Sequence, residues 1–221
     1  MIEVKNLSLS YKKREVLNVK ELIINDKDKI ALAGLNGAGK TTLAEILIGV
    51  KGYYKGELNY KKDYIYNAVF QDCNFVADCK IKDIFYLYCD LYNIKMDHKK
   101  IFEEYDLLKV ENNLYKRLSG GQQQKFKFLI ALLNEPNFLL LDEITTALDY
   151  DWRVRIIEII KQKIQNNDMN LLLISHNPEE IAHLCNRIVL LQDGSVFKDE
   201  KITGTYEEKI KQIKEVFGHN V

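Results

Sequence analysis

The chain has 221 residues, 47% of them hydrophobic, enough to bury the core of one full domain with a small satellite subdomain but not two complete domains. Lysine plus arginine and aspartate plus glutamate number 32 each, so no global positive field points to nucleic acid and no basic tail to a charged membrane surface. The longest apolar runs, such as Phe138 to Leu141 and Leu171 to Ile174, fall far short of the about 20 residues a spanning helix needs, and the opening MIEVKNLSLSY lacks the apolar stretch of a signal peptide, so a cytosolic chain is expected.

In chain order, short strands are expected at Ile2 to Leu7, Leu9 to Tyr11 and Val16 to Ile24, then a compact apolar strand at Lys29 to Ala33 that runs into a glycine-rich turn. A helix from about Lys40 to Ile48 follows, and another strand at Tyr64 to Phe70 ends at Gln71. The pattern then turns helical through IKDIFYLYCDLYNI and HKKIFEEYDLLKV, which reads as a helical insertion of approximately 72–134. A helix from Gly120 to Leu133 leads into the apolar run FLLLD, and two more strand and helix alternations end near Val189 to Leu191. That alternation argues a mostly parallel sheet covered on both faces. Asp193 and Gly194 suit a hairpin turn, and Tyr206 to Phe217 reads as a charged amphipathic helix. Cys73, Cys79, Cys89 and Cys185 show no CxxC spacing and no paired histidines, so they read as reduced packing residues and not as a zinc or redox site.

Three stretches carry chemistry. Gly34-Leu35-Asn36-Gly37-Ala38-Gly39-Lys40-Thr41 fits GxxxxGK[ST] between an expected strand and an expected helix, the context a phosphate-binding P-loop requires. Glycines let the backbone wrap an anion with its amides inward, and the helix that starts there adds its positive end. Lys40 would reach the β and γ phosphates and Thr41 a Mg²⁺ ion, with Asn36, Gly37, Ala38, Gly39 and Thr42 as further nucleotide contacts. Asp142, ending the apolar strand, is the expected metal partner, and Glu143, just past it, could polarise an attacking water. Leu118-Ser119-Gly120-Gly121-Gln122 is a second anion cradle, with Ser119 capping a helix and two glycines exposing amides.

With the P-loop before it and FLLLDE after it, this last stretch resembles the LSGGQ signature of the ABC ATPases, and the resemblance covers nearly the whole chain. It implies a P-loop NTPase (RecA-like) α/β core with an N-terminal antiparallel β subdomain and an inserted helical subdomain. It further implies that Tyr11 stacks on adenine, that Gln71 reaches Mg²⁺ and the water, that Ala147-Leu148-Asp149 forms the D-loop, and that His176 contacts the γ-phosphate as the switch histidine. Ser119, Gly120, Gly121 and Gln122 would face an ATP held by a second ATPase domain, a copy or a paralogue. Departures are Ile144 where the family usually has proline, Thr145-Thr146-Ala147 where Thr-Ser-Gly or Thr-Ser-Ala is more usual, and Lys125 where arginine is common.

The resemblance implies a motor driven by ATP and Mg²⁺ that works through a separate polytopic membrane permease, peripheral on the inner face of the cell membrane. Phe75, Phe85, Tyr86, Tyr88 and Tyr92 lie where relatives dock the permease, although most of them should simply pack the helical subdomain. Spacing and the segment IKDIFYLYCDLYNI are most similar to exporters of drugs, peptides or lipids, whereas an importer motor would share every catalytic motif. A ribosomal or chromosomal ATPase is the alternative, but the chain lacks the second ATPase domain or long coiled coils of such relatives.

Overall fold

The computed structural model describes residues 1–218 apart from 13, 62, 72–73, 144, 146 and 167–168. Its elements run β1 (Ile2–Tyr11), β2 (Arg14–Ile24), β3 (Lys29–Ala33), α1 (Lys40–Leu47), β4 (Lys55–Tyr60), β5 (Tyr66–Val69), α2 (Ile81–Leu91) and α3 (His98–Glu104). After two short 3-10 turns come α4 (Gly120–Leu132), β6 (Phe138–Asp142), α5 (Tyr150–Asn166), β7 (Asn170–Ile174), α6 (Pro178–Leu184), β8 (Arg187–Gln192), β9 (Ser195–Lys201) and α7 (Tyr206–Phe217).

The apolar runs FLLLD, NLLLI and KIALA become neighbouring strands because they have no polar face to show to water. They lie inside a six-stranded sheet of order β5-β6-β7-β3-β8-β9, parallel except for β9. Alternate residues of each strand enter two separate cores, as the period of two demands. Ala31, Ala33, Leu139, Leu141, Leu171 and Leu173 pack beneath α4, α5 and α6, while Ile30, Leu32, Phe138, Leu140, Leu172 and Ile174 pack toward α1 and the β1-β2 hairpin. The expected mostly parallel sheet covered on both faces is therefore present, with one cover made largely of strands.

That cover is a three-stranded antiparallel sheet of order β2-β1-β4. The two strands expected at Ile2 to Leu7 and Leu9 to Tyr11 are one strand, because pairing with β2 runs from Ile2 to Tyr11; inward alternation is interrupted at Asn6 (φ 48°) and resumes at Leu7 and Leu9, with register shifts at Leu9/Ser10 against β2 and between Lys5 and Ser8 against β4. β4 was not expected: its sequence KGELNY has no apolar alternation and only Leu58 is less than exposed, so pairing with β1 rather than burial makes it a strand. The helix expected to run on from His98 stops at Glu104, where Asp106 turns to φ 53°. Asp193 (φ 47°) and Gly194 (φ 77°) form the expected hairpin turn between β8 and β9. α7 has the expected bounds, with Thr205 and Glu208 closing a capping box at its start.

Among the described residues no helix is long and apolar enough to cross a membrane. Cys79, Cys89 and Cys185 are free thiols, the last two buried, and burial raises both of their pKa values. Cys73 lies outside the described residues.

Phe138 opens β6, is wholly buried and packs against the rings of Tyr64 and Tyr66. Replacing it by alanine should cost about 3–5 kcal/mol of unfolding free energy, read from the shift in urea midpoint at unchanged slope.

Candidate active site

The turn from β3 into α1 is a cradle by backbone geometry. Gly37 sits at φ +83° with open space where a Cβ would point, and Gly39 at φ +98°, where a Cβ would meet Leu17 Cδ2 at 2.7 Å and Val16 O at 2.9 Å. Gly39 caps α1 without a side-chain hydrogen bond, so the first amides of α1 receive no capping acceptor from it. Lys40 is buried, and its ammonium donates to the carbonyls of Gly34 at 2.7 Å and Leu35 at 3.1 Å, so the charge lies across the loop. Burial lowers its pKa, and the carboxylates of Glu143 and Asp142 partly oppose that shift.

Neighbouring strand ends bring the remaining groups. Asp142, the last residue of β6, accepts a hydrogen bond from the Thr41 hydroxyl at 3.0 Å. These two hard oxygen donors beside an anion cradle suit a Mg²⁺ ion whose other positions come from water and phosphate oxygens. Among the described residues no group of three His, Cys, Asp or Glu is gathered to hold a metal. Glu143 follows at φ 49°, and its amide donates to the carbonyl of Ile174 at 3.0 Å, which ties the end of β6 to the end of β7. His176, two residues beyond β7, places Nε2 3.7 Å from Glu143 Oε1, beyond hydrogen-bond range, and that nitrogen is buried with no hydrogen-bond partner among the described residues. Burial first and the Lys40 charge second lower the His176 pKa, against Glu143, so the ring is neutral at pH 7.

One open cleft of about 640 Å³ is lined by most of the expected residues: Tyr11, then Asn36, Gly37, Gly39, Lys40, Thr41 and Thr42 of the loop, and Gln71, Asp142 and Glu143, but not His176. Tyr11 is 44% exposed with the Lys51 ammonium 5.5 Å from its ring centroid, and the Gln71 carbonyl accepts from Lys127 Nζ at 3.3 Å. The Ala38 side chain points into the core instead, and its amide bonds to Leu35 O within the loop at 3.1 Å. Ser119, Gly120, Gly121 and Gln122 do not line this cleft. They form the start of α4, with Ser119 and Gln122 in a reciprocal capping box. A Cβ on Gly121 would lie 3.4 Å from Ala147 O, so the signature abuts the D-loop of its own chain.

Arg14, Glu15, Val16, Asp193 and Gly194 also line the cleft and escaped the sequence reading. The turn residues had been read only as a hairpin, yet the Gly194 amide donates to Ala38 O at 3.2 Å and its carbonyl accepts from Asn18 at 2.8 Å, which places the hairpin on the P-loop. Lys125 stands over the Trp152 ring at 3.8 Å and 3.6 Å from Asp106, so it supplies a cation where arginine is common. Phe85 is fully buried, whereas Phe75, Tyr88 and Tyr92 line a groove of about 200 Å³ with Lys127. Ile144 and Thr146 lie outside the described residues, and with them the expected effect of the missing proline.

Two measurements test this geometry. Gly39→Ala puts a side chain at positive φ, a strain of roughly 1–2 kcal/mol, and should weaken ATP binding about tenfold in a calorimetric titration. The folded-state pKa of His176 is depressed, so its contribution is intact above the unfolded pKa of about 6.5 and is lost as pH falls through that value toward the folded one. His176→Asn should therefore flatten the fall in unfolding free energy between about pH 7 and 5 in urea titrations.

Comparison with known proteins gives the same picture. The family profile described as ABC transporter matches residues 17–146, and a shorter match to an AAA domain of the type IV toxin–antitoxin AbiEii type spans 111–182. The nickel import system ATP-binding protein NikE of Staphylococcus aureus is 30% identical over 210 residues, 90% of each chain. The solved ATP-binding subunit of an ABC transporter superposes with a TM-score of 0.82 at 21% identity, over 100% of this chain and 94% of that one. A dimeric post-hydrolysis ATP-binding cassette bound to ADP and Pi superposes with a TM-score of 0.81 at 24% identity, over 93% and 100%. With its P-loop, signature and buried aspartate in family order on this fold, the chain belongs to the ABC transporter ATP-binding family and is an ATPase.

Proposed function

We propose that the chain acts as one ABC ATPase domain over residues 1–221, with a helical subdomain of approximately 72–134, and that it drives a separate membrane permease as one of a pair of such domains. The observation that carries this reading is the division of the site. Lys40, Asp142 and Glu143 share one cleft while Ser119 to Gln122 stand elsewhere on the same chain, as half-sites completed by a partner domain would. The dimeric cassette with ADP and Pi supports the pairing by likeness of fold. The pair would be two copies or this chain with a paralogue, on the inner face of the membrane, and the even charge balance gives no reason to add nucleic acid.

In this reading the P-loop amides and Lys40 bind the β and γ phosphates, and Tyr11 offers a stacking face to adenine. Thr41, Asp142 and Gln71 would hold Mg²⁺, which supplies charge neutralisation at the transferring phosphoryl. Glu143 accepts a proton from the attacking water, and His176, whose Nε2 lies 3.7 Å from Glu143 Oε1, would contact the γ-phosphate of the bound nucleotide. Ser119 and the amides of Gly120 and Gly121, at the positive end of α4, close over the partner's ATP.

The resemblance to exporters favours outward transport, but the one relative named above whose description gives a direction belongs to a nickel import system, so export has no support here and direction is left to the permease. The test of the catalytic assignment is Glu143→Gln. ATP turnover should collapse by about two to four orders of magnitude, the usual worth of a general base, while an ATP-bound dimer accumulates on size exclusion. Retained turnover would remove Glu143 as the base.

A further inference from the structure

We infer that Glu180 is a positioning residue that holds the loop carrying Glu143 and the loop carrying His176 in one register. Glu180 lies in the first turn of α6, is 2% exposed, and reaches both loops through its two carboxylate oxygens. Oε1 accepts from the hydroxyl of Thr145, two residues past Glu143. Oε2 accepts from the hydroxyl of Ser175 at 2.7 Å, one residue before His176. The Ser175 oxygen in turn accepts the amide of Asn177 at 3.0 Å, and Asn177 caps α6 through the amides of Glu179 and Glu180.

Carboxylates are almost never buried to this degree without partners, and here each partner comes from a different catalytic loop. The same loops are joined once more by the Glu143 amide on Ile174 O. One link fixes the backbones at the strand ends and the other fixes them beyond, so the segments carrying Glu143 and His176 must shift together. The 3.7 Å between Glu143 and His176 is the distance this clamp would set. Pure packing does not call for such an arrangement, since well-packed apolar residues commonly replace buried charges at little cost in stability.

The inference rests on Glu143 as base and His176 as switch. Its test is steady-state ATP hydrolysis and ATP binding by the full chain carrying Glu180→Ala, Glu180→Gln, Thr145→Val or Ser175→Ala. Misplacement of a catalytic group costs up to about a hundredfold, so Glu180→Ala should lower kcat roughly tenfold or more with KM for ATP nearly unchanged. Glutamine can accept one hydroxyl proton and donate to the other oxygen, so Glu180→Gln should restore most of kcat. Thr145→Val and Ser175→Ala should each lower kcat, and neither should lower it further in the Glu180→Ala background.

Losses that multiply instead, glutamine no better than alanine, or kcat falling only in proportion to the folded fraction would overturn the clamp. Should Glu180→Ala fail to fold, the two hydroxyl deletions and their double variant decide the question by the same non-additivity. Collapse of Glu143→Gln beside an unimpaired Glu180→Ala refutes the clamp alone, whereas an active Glu143→Gln refutes the base assignment whatever these variants do.

Discussion

The constraint on which this molecule depends is the burial of β3, β6 and β7 on both faces. Each is an unbroken apolar run, so each can lie only in the interior of a sheet with cover above and below. Their parallel pairing points all three carboxyl ends to one edge. Lys40 and Thr41 follow β3, Asp142 and Glu143 end β6, and Ser175 and His176 follow β7, so the site is a by-product of where apolar strands must stop. Open parallel sheets generally bind ligands at that edge.

Electrostatics at the edge are set by partial burial. Lys40 and His176 both lose water, which disfavours their charged forms, while Asp142 and Glu143 oppose the shift at Lys40 and Glu143 opposes it at His176. The outcome differs between the two. Lysine starts from a pKa near 10.4 and remains a cation at neutral pH, whereas histidine starts near 6.5 and is left neutral. A polyphosphate therefore meets the Lys40 charge beside a turn of backbone amides, and the imidazole is left to hydrogen-bond.

Legibility followed apolar pattern and turn chemistry. FLLLD, NLLLI and KIALA announce buried strands, and the glycines and Lys40 between KIALA and the next helix announce an anion cradle. KGELNY announces nothing, because β4 exists through main-chain pairing with β1, and pairing leaves no trace in side-chain type. The strands expected at Ile2 to Leu7 and Leu9 to Tyr11 join across Ser8, because the pairing of β1 with β2 is continuous there. Asp106 ends the helical pattern begun at His98 by a positive φ that aspartate tolerates better than most residues, a preference too weak to mark a boundary from composition.

By itself the sequence determined the family and its candidate chemistry: which glycines, which lysine, which carboxylates and which histidine stand in the family's order. It could do so because those choices are dictated locally, by positive φ, helix starts and the ends of apolar runs. Only the tertiary structure decided what stands beside what. It placed the hairpin at Asp193 and Gly194 on the P-loop, turned Ala38 into the core, and kept Ser119 to Gln122 off the cleft. It also gathered Thr145 and Ser175 around the buried carboxylate of Glu180. The reason is that such contacts join residues far apart along the chain, and only the packing of sheet, helices and hairpin specifies which of the available polar groups meet.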